Sequence, residues 1–214
     1  MEYRACELID YASLKKFDII AITNHNKPTY NKYLKEYAAE RNILLIPGIE
    51  LTVENKHIVL LNIEEYKDGE VKTISELKKY KGEKSLIIAP HPYFPTFHSL
   101  NSKLEEYINL FDAIEYTHFY FKKINFNKKA QRKAEEYNLP LVGVSDAHSL
   151  RQIGTTYSLV EAEKNPEAVI KAIKEGKIEV VTEPLPLTPF NLFLSLKHLS
   201  SLIFPHRNGE KFNI

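Results

Sequence analysis

Tryptophan is missing from these 214 residues, cysteine and methionine occur once each, and glycine only seven times. A lone thiol, Cys6, cannot close an internal disulfide, so packing must hold the fold, and a reducing compartment suits it. No run of about 18 uncharged apolar residues occurs, which leaves no candidate for a membrane-spanning helix. The opening MEYRACELIDY carries early acids and no apolar stretch, unlike a signal peptide, so the cytoplasm is the expected location. An excess of either charge is lacking too: 29 Lys and Arg face 28 Asp and Glu, for a formal net charge of +1. Such a chain builds no general field to gather nucleic acid; any polyanion must be held locally. There is no GxSxG elbow, Walker phosphate loop or paired-carboxylate glycosidase pattern, and those reaction classes drop out. Internal repeats, low-complexity tracts and linkers are absent as well.

What is present is the composition of a globular domain, 43% hydrophobic and 27% charged, long enough to bury a core. Abundant Lys, Glu and Ile with few Gly gives a heat-adapted bias. Short apolar runs alternate with longer amphipathic stretches. The runs Asp18–Thr23, Ile43–Pro47, His57–Ile63, Leu86–Ala89, Ala113–Tyr116, Leu141–Val144 and Ile178–Thr182 are continuous and rich in β-branched residues, as in strands buried on both faces. Helical patterns cover Tyr30–Glu40, Thr73–Lys81, Lys128–Tyr137 and Pro166–Glu175, the last ending at Gly176. This alternation predicts an α/β fold with a mostly parallel sheet. One domain over 1–183 is expected, with an apolar helix near Phe190–Leu202 inside a tail, 184–214, packed upon it.

The polar residues fall where the apolar runs stop. Asn24–His25–Asn26, Gly48–Ile49–Glu50, His91 and Asp146–Ala147–His148 each put a metal-capable group at or just past a strand's C-terminal end, the rim on which parallel α/β barrels build sites. His57 follows Glu50 after a short turn, so a hairpin lets both reach one ion. Asp146 and His148 alternate in SDAH and point the same way in extended chain. Imidazole with carboxylate is a ligand set for zinc, manganese and iron. His118, in EYTHFYFKK beyond another strand end, is a further rim candidate, and Arg151 and Lys122–Lys123 are candidate phosphate anchors. Tyr93, Phe94, Phe97, Phe119, Tyr120 and Phe121 offer either stacking surfaces or packing.

The segments ITNHN, IPGIELTVENKHIVLLNI, APHP and LPLVGVSDAH, in that order and spacing, resemble the polymerase-and-histidinol-phosphatase (PHP) superfamily over about Leu8 to Leu159. That resemblance implies a distorted (β/α)7 TIM-like barrel and hydrolysis of phosphoesters with up to three metal ions. It assigns Glu50, His57 and His91 to one ion, with Glu50 bridging to a second that Asp146 also holds. His25 and His148 take the third. Glu50, Asp146 and His148 are then the catalytic residues, with Arg151 and His118 binding substrate.

The sequence also departs from the family. A strand bearing His-x-His normally comes first, but EYRACELIDYASLKKFD already reads as the helix that follows it, and Asn24 stands where an aspartate is usual. The first strand is therefore expected to be missing, with Cys6, Glu2, His98 and His118 as candidate substitute ligands. Expected cofactors are divalent zinc, manganese or iron at one to three positions, partially occupied, with the Glu50–His57–His91 position filling first. The expected substrate is a small phosphoester or nucleotide; charge does not favour nucleic acid, and no membrane is involved. The apolar tail or a homodimer should cover the gap left by the absent strand. The rival expectation is a catalytically impaired barrel that binds a partner such as RNA.

Overall fold

The computed structural model describes residues 4–63, 65–67 and 69–186. Helices α1 (Ala5–Leu14), α2 (Lys32–Ala39), α3 (Ser102–Glu106), α4 (Asn127–Tyr137) and α5 (Pro166–Lys174) alternate with eight strands. These are β1 (Ile19–Ile22), β2 (Leu44–Val53), β3 (Lys56–Leu61), β4 (Leu86–Ala89), β5 (Ala113–Thr117), β6 (Leu141–Val144), β7 (Thr156–Val160) and β8 (Ile178–Thr182). Six of them form one curled, half-barrel sheet in the order β1-β2-β3-β4-β5-β6, and β7 and β8 pair as a separate hairpin.

The sheet is mixed rather than mostly parallel. β1–β2, β4–β5 and β5–β6 run parallel, while β2–β3 and β3–β4 are antiparallel. The cause is local. Glu54 and Asn55 both adopt positive φ, 49° and 60°, which folds the chain into a tight two-residue hairpin turn. Its register sets Thr52 opposite His57 and Glu50 opposite Val59. Since side chains alternate along a strand, Glu50, Thr52, His57 and Val59 all face one side.

That side is the concave face. Ile46, Ile88, Ala113 and Val142 meet Val169, Ile170 and Ile173 of α5 there in one apolar cluster. The convex face carries two others: Leu51, Ile58, Leu60, Ile87 and Ile114 pack toward α4 and the 73–111 region, and Ile22 and Leu45 pack against α1 and α2. Segment 74–80 is a 3-10 helix, not the α-helix its pattern suggests. Strand β7, which sequence inspection overlooks, has an irregular burial pattern with an exposed Leu159 and no apolar run.

β6 and the hairpin meet without a ladder. The Ser158 hydroxyl donates to the Gly143 carbonyl at 3.0 Å and accepts from the Gly143 N–H at 2.9 Å. A Cβ at Gly143 would lie 2.7 Å from the Tyr157 carbonyl oxygen, so only glycine permits this approach. On the far side β1 pairs with β2 alone among the described strands, and its other edge faces a cleft of about 1570 Å³ bounded by β6, β7 and α5. The cleft's floor is pinned by Phe17 against Tyr157, with ring centroids 5.7 Å apart, and by Lys164, whose ammonium donates to the Asn42 carbonyl at 2.6 Å. The apolar helix expected near 190–202 lies outside the described residues, as does Glu2.

Candidate metal centre

His25, His91, Asp146 and His148 sit just past strand ends, whereas Glu50, expected at a strand end, lies inside β2 because the strand runs on to Val53, and His57 is the second residue of β3. The loop after β1 is zipped to β2: the Asn26 N–H donates to the Glu50 carbonyl at 2.8 Å, and the Thr52 N–H donates to Asn26 Oδ1 at 2.8 Å. His25 thereby bridges to Glu50 in parallel register. His57 arrives by the tight hairpin. His91, directly after Pro90, takes a positive φ of 30°, and its carbonyl accepts from the Ser99 hydroxyl at 2.9 Å and the Phe94 N–H at 3.0 Å. Asp146, two residues past β6, also has positive φ, 39°. Strained backbone at two non-glycine positions of one rim marks places where side-chain aim outweighs local comfort.

Glu50 sits at the centre and is 6% exposed. Its Oε1 lies 2.8 Å from His57 Nδ1 and 3.5 Å from His91 Nε2, and its Oε2 lies 3.6 Å from His25 Nδ1. The short His57 contact is not aligned as a hydrogen bond, and Nδ1 is buried without a hydrogen-bond partner. A buried nitrogen with no hydrogen-bond partner beside a carboxylate oxygen suits a cation coordinated by both. His25, Glu50 and His57 each offer a ligand atom within 4.8 Å of the others. The family resemblance implies one ion on Glu50, His57 and His91 and another on His25 and His148; in the structure His91 and His25 stand at similar distances from Glu50, 3.5 and 3.6 Å, and His25, Glu50 and His57 form a tight metal-capable group.

The electrostatics follow from crowding. Burial pushes the Glu50 carboxyl up, but contacts with His57 and His91 and the charge of His25 outweigh it and hold Glu50 well below the usual carboxylate range. For His91 burial favours the neutral ring, yet Glu50 beside it and the charges of Glu115 and Asp146 push it up to about 9. Burial is the main cause for His25 and lowers it, against the pull of Glu50. So Glu50 is ionised and His91 carries a proton when no metal is bound.

All six candidate ligands, His25, Glu50, His57, His91, Asp146 and His148, line one pocket of about 150 Å³, joined by His98 and His118. His98 stacks on His57, with centroids 4.4 Å apart and planes within 6°, and its carbonyl accepts the His57 N–H at 3.0 Å. Gln152 braces the opposite wall: its Oε1 accepts the backbone N–H groups of His148 and Ser149, each at 2.7 Å. His118, 2% exposed, places Nε2 3.5 Å from Gln152 Nε2. Phe94 and Phe119 are pocket walls with centroids 5.4 Å apart, while Phe97 stays 56% exposed at the margin. Arg151 is exposed on the turn after His148, and Lys122 and Lys123 are exposed further off. Cys6 does not line the pocket; its thiol lies 3.9 Å from the Tyr33 hydroxyl on α2.

One residue escaped sequence inspection. Glu115, on the concave face of β5, is 3% exposed, and its Oε1 has no hydrogen-bond partner. Burial pushes its carboxyl up to about 8; His91 pulls the other way, and the charges of Asp146 and Glu50 add to the rise. The available signal was an acid inside a wholly apolar strand, AIEY, where a surface residue has no place.

The PHP-associated family matches residues 125–178, from just before α4 to the start of β8. That stretch contains Asp146, His148 and Arg151 and supports a relation to PHP proteins. The uncharacterized protein MJ0417 of Methanocaldococcus jannaschii is 24% identical over 157 residues, covering 70% of this chain and 61% of that protein. The chain thus spans less than two thirds of that relative's length. The crystal structure of PsfC from Pseudomonas syringae is similar in fold, with a TM-score of 0.59 and 18% identity over 91% of this chain and 88% of that one.

Proposed function

We propose that this chain is a metal-dependent phosphoesterase on a PHP-type barrel. The carrying observation is the buried Glu50 carboxylate, ringed by His25, His57 and His91 in a pocket that also contains Asp146 and His148. A divalent ion of the zinc, manganese or iron class, when bound, supplies Lewis acidity toward phosphate oxygen and a source of nucleophilic water at neutral pH.

The protein's own part is then positional. Glu50, His25 and His57 would hold the ion, with His91 as a further donor once its proton has left. Asp146 and His148, the latter with its backbone N–H held by Gln152, line the same pocket and would meet an incoming phosphoester there. His118 and Arg151 are the proposed substrate contacts, the first buried in the wall and the second exposed at the entrance. Phe94 and Phe119 keep one wall dry, which strengthens every charge interaction inside. The pocket's size and the chain's near-zero net charge favour a small phosphoester or nucleotide over a long nucleic acid. A solvent-borne enzyme fits the absence, among described residues, of any helix long and apolar enough to cross a membrane.

A second reading has one observation behind it. The open cleft beside β1 adjoins the ligand cluster and would suit a non-catalytic binding protein. Hydrolysis of p-nitrophenyl phosphate and bis-p-nitrophenyl phosphate by the full chain, loaded in turn with Mn²⁺, Zn²⁺ and Fe²⁺, separates the two. The enzyme reading expects turnover that EDTA removes and Glu50→Gln abolishes. Metal binding without turnover of either ester, or turnover that survives Glu50→Gln, sinks it.

A further inference from the structure

We propose that His98 is a positioning residue of the metal centre, fixing the plane of the His57 ring beside Glu50 without itself ligating the ion. The inference rests on the metal reading of His25, Glu50 and His57. It gives His98 a role other than the substitute ligand that its sequence suggests.

The need for such a residue follows from the geometry of histidine. Its second side-chain torsion joins a tetrahedral carbon to a flat ring, so the preferred angles are broad and the backbone leaves the ring plane loosely set. His57 nonetheless holds Nδ1 2.8 Å from Glu50 Oε1, and that nitrogen has no hydrogen bond to steady it. Packing has to supply the aim. His98 provides a flat wall, stacked with its ring centroid 4.4 Å from that of His57 and the planes within 6°. The other two imidazoles meet the ring at an angle: His25 is tilted by 50° at 4.8 Å, and His91 by 71° at 5.4 Å.

The wall is itself held. His98 Nδ1 lies 3.1 Å from the Asn55 carbonyl, and a carbonyl only accepts, so this nitrogen carries its hydrogen and is turned to backbone. The His98 carbonyl accepts the His57 N–H at 3.0 Å, and the Phe97 carbonyl accepts from the Lys56 ammonium at 2.8 Å. Lys103 pairs with Glu54 at 3.2 Å. Every residue of the hairpin turn from Glu54 to His57 is thus tied to segment 97–103. The same segment is anchored on His91. Fully buried Ser99 donates its hydroxyl to the His91 carbonyl at 2.9 Å, and its N–H closes a turn on the Thr96 carbonyl at 3.3 Å. One short turn therefore links His57 to His91. Among the described residues, the ligand atoms gathered within 4.8 Å of one another belong to His25, Glu50 and His57, and His98 is outside that group.

Two substitutions separate the ring from its hydrogen bond. His98→Phe keeps a flat ring and drops the donor to Asn55, whereas His98→Asn keeps a donor near that position and drops the ring. Zinc affinity of the full-length variants is measured by chelator competition beside His98→Ala, which lacks both, and each metal-free melting temperature is recorded. His98→Ala and His98→Asn should bind zinc about 10- to 100-fold more weakly than the parent, the loss seen when a ligand's orienting partner goes, while His98→Phe stays within about threefold. A ligand role predicts otherwise, because phenylalanine has no donor atom: a His98→Phe loss as large as that of His98→Ala overturns the proposal. Parent-like affinity in His98→Asn moves the role to the Asn55 bond and overturns it too. A lowered melting temperature with unchanged zinc affinity in all three variants reduces His98 to packing. If His98→Ala fails to fold, the contrast between the Phe and Asn variants still decides. A parent that binds zinc without any dependence on His98 overturns this role alone, and a parent that binds no zinc overturns the metal reading with it.

Discussion

The two halves of the pocket are built to different standards. On the hairpin side, β2 and β3 share six paired positions, Leu51, Ile58 and Leu60 behind them are fully buried, and Glu50 is boxed in by three imidazoles. On the cleft side β1 has one strand neighbour among the described strands, the inner residues Ile19 and Ala21 are only partly buried, and Asp146 and His148 project from loops. Both halves carry metal-capable groups. The difference is how firmly backbone and packing hold them, and ligand preorganisation sets affinity. The hairpin-side residues should therefore matter more to metal affinity than Asp146 and His148.

The largest effect should come from cutting the tight half. His57→Ala removes a buried donor 2.8 Å from Glu50 and should weaken zinc binding by more than about a hundredfold, whereas His148→Ala should weaken it by about tenfold or less. Competition against a fluorescent zinc chelator gives both constants. Equal losses from the two variants would erase the distinction between the halves.

Folding stability should show the same asymmetry. Leu60 is fully buried behind the hairpin, and Leu60→Ala should lower unfolding free energy by about 2–5 kcal/mol through lost burial and a residual cavity. Ile19 borders the cleft and has little left to lose; Ile19→Ala should lower it by about 1 kcal/mol or less. Urea titrations with a common m-value measure the contrast. An Ile19 loss as large as that of Leu60 means the cleft is packed in solution.

A smaller effect per step is expected from pH. Zinc must displace the proton that Glu50 and its acidic neighbours hold on His91, whose pKa is pushed up to about 9. If His91 joins the coordination, affinity should rise by up to about tenfold per pH unit between 7 and 9 and level off above, with close to one proton released near pH 7.5. Calorimetry in buffers of different ionisation enthalpy reads the proton directly. For the metal-free fold the sign is reversed. A histidine raised from its ordinary value near 6.5 contributes stability fully present below that pH and lost as pH rises through about 9. An affinity flat from pH 7 to 9 removes His91 from the coordination sphere.

How much of this was legible beforehand depends on the kind of signal each residue leaves. His25, His91, Asp146 and His148 follow apolar runs, and the rim is visible because polarity changes abruptly where those strands stop; Glu50 was legible only as an acid after an apolar run, since β2 continues past it to Val53. His57 was legible as a hairpin partner. The turn itself, Glu54–Asn55, announces the antiparallel reversal only once both residues are known to adopt positive φ. The place of His25 beside Glu50 comes from Asn26, whose backbone and side chain tie the loop to β2, a long-range contact that no local pattern encodes. Glu115 was hidden by the opposite circumstance, a single acid in an apolar strand. Strand β7 left no apolar run because the hairpin meets β6 through Ser158, not through a buried ladder.

The smallest effect belongs to Arg151. It stands on the 150–152 turn, three residues past His148, with its side chain exposed. The turn is held without it, because Gln152 Oε1 takes the Ser149 N–H at 2.7 Å. Arg151→Ala should accordingly shift stability by no more than about 0.5 kcal/mol. If the guanidinium meets phosphate at the entrance, the cost appears in substrate capture: KM rises by about three- to tenfold while kcat holds, the pattern of an interaction made equally in ground and transition states. Because an exposed charge acts through screened solvent, that difference should shrink as ionic strength passes 0.1 M, where the screening length is about 10 Å. Lys122→Ala and Lys123→Ala, the two other exposed cations singled out by sequence, supply the reference for a solvated charge with no place at the entrance. An Arg151→Ala variant whose KM and salt response match those two would reduce Arg151 to the same status.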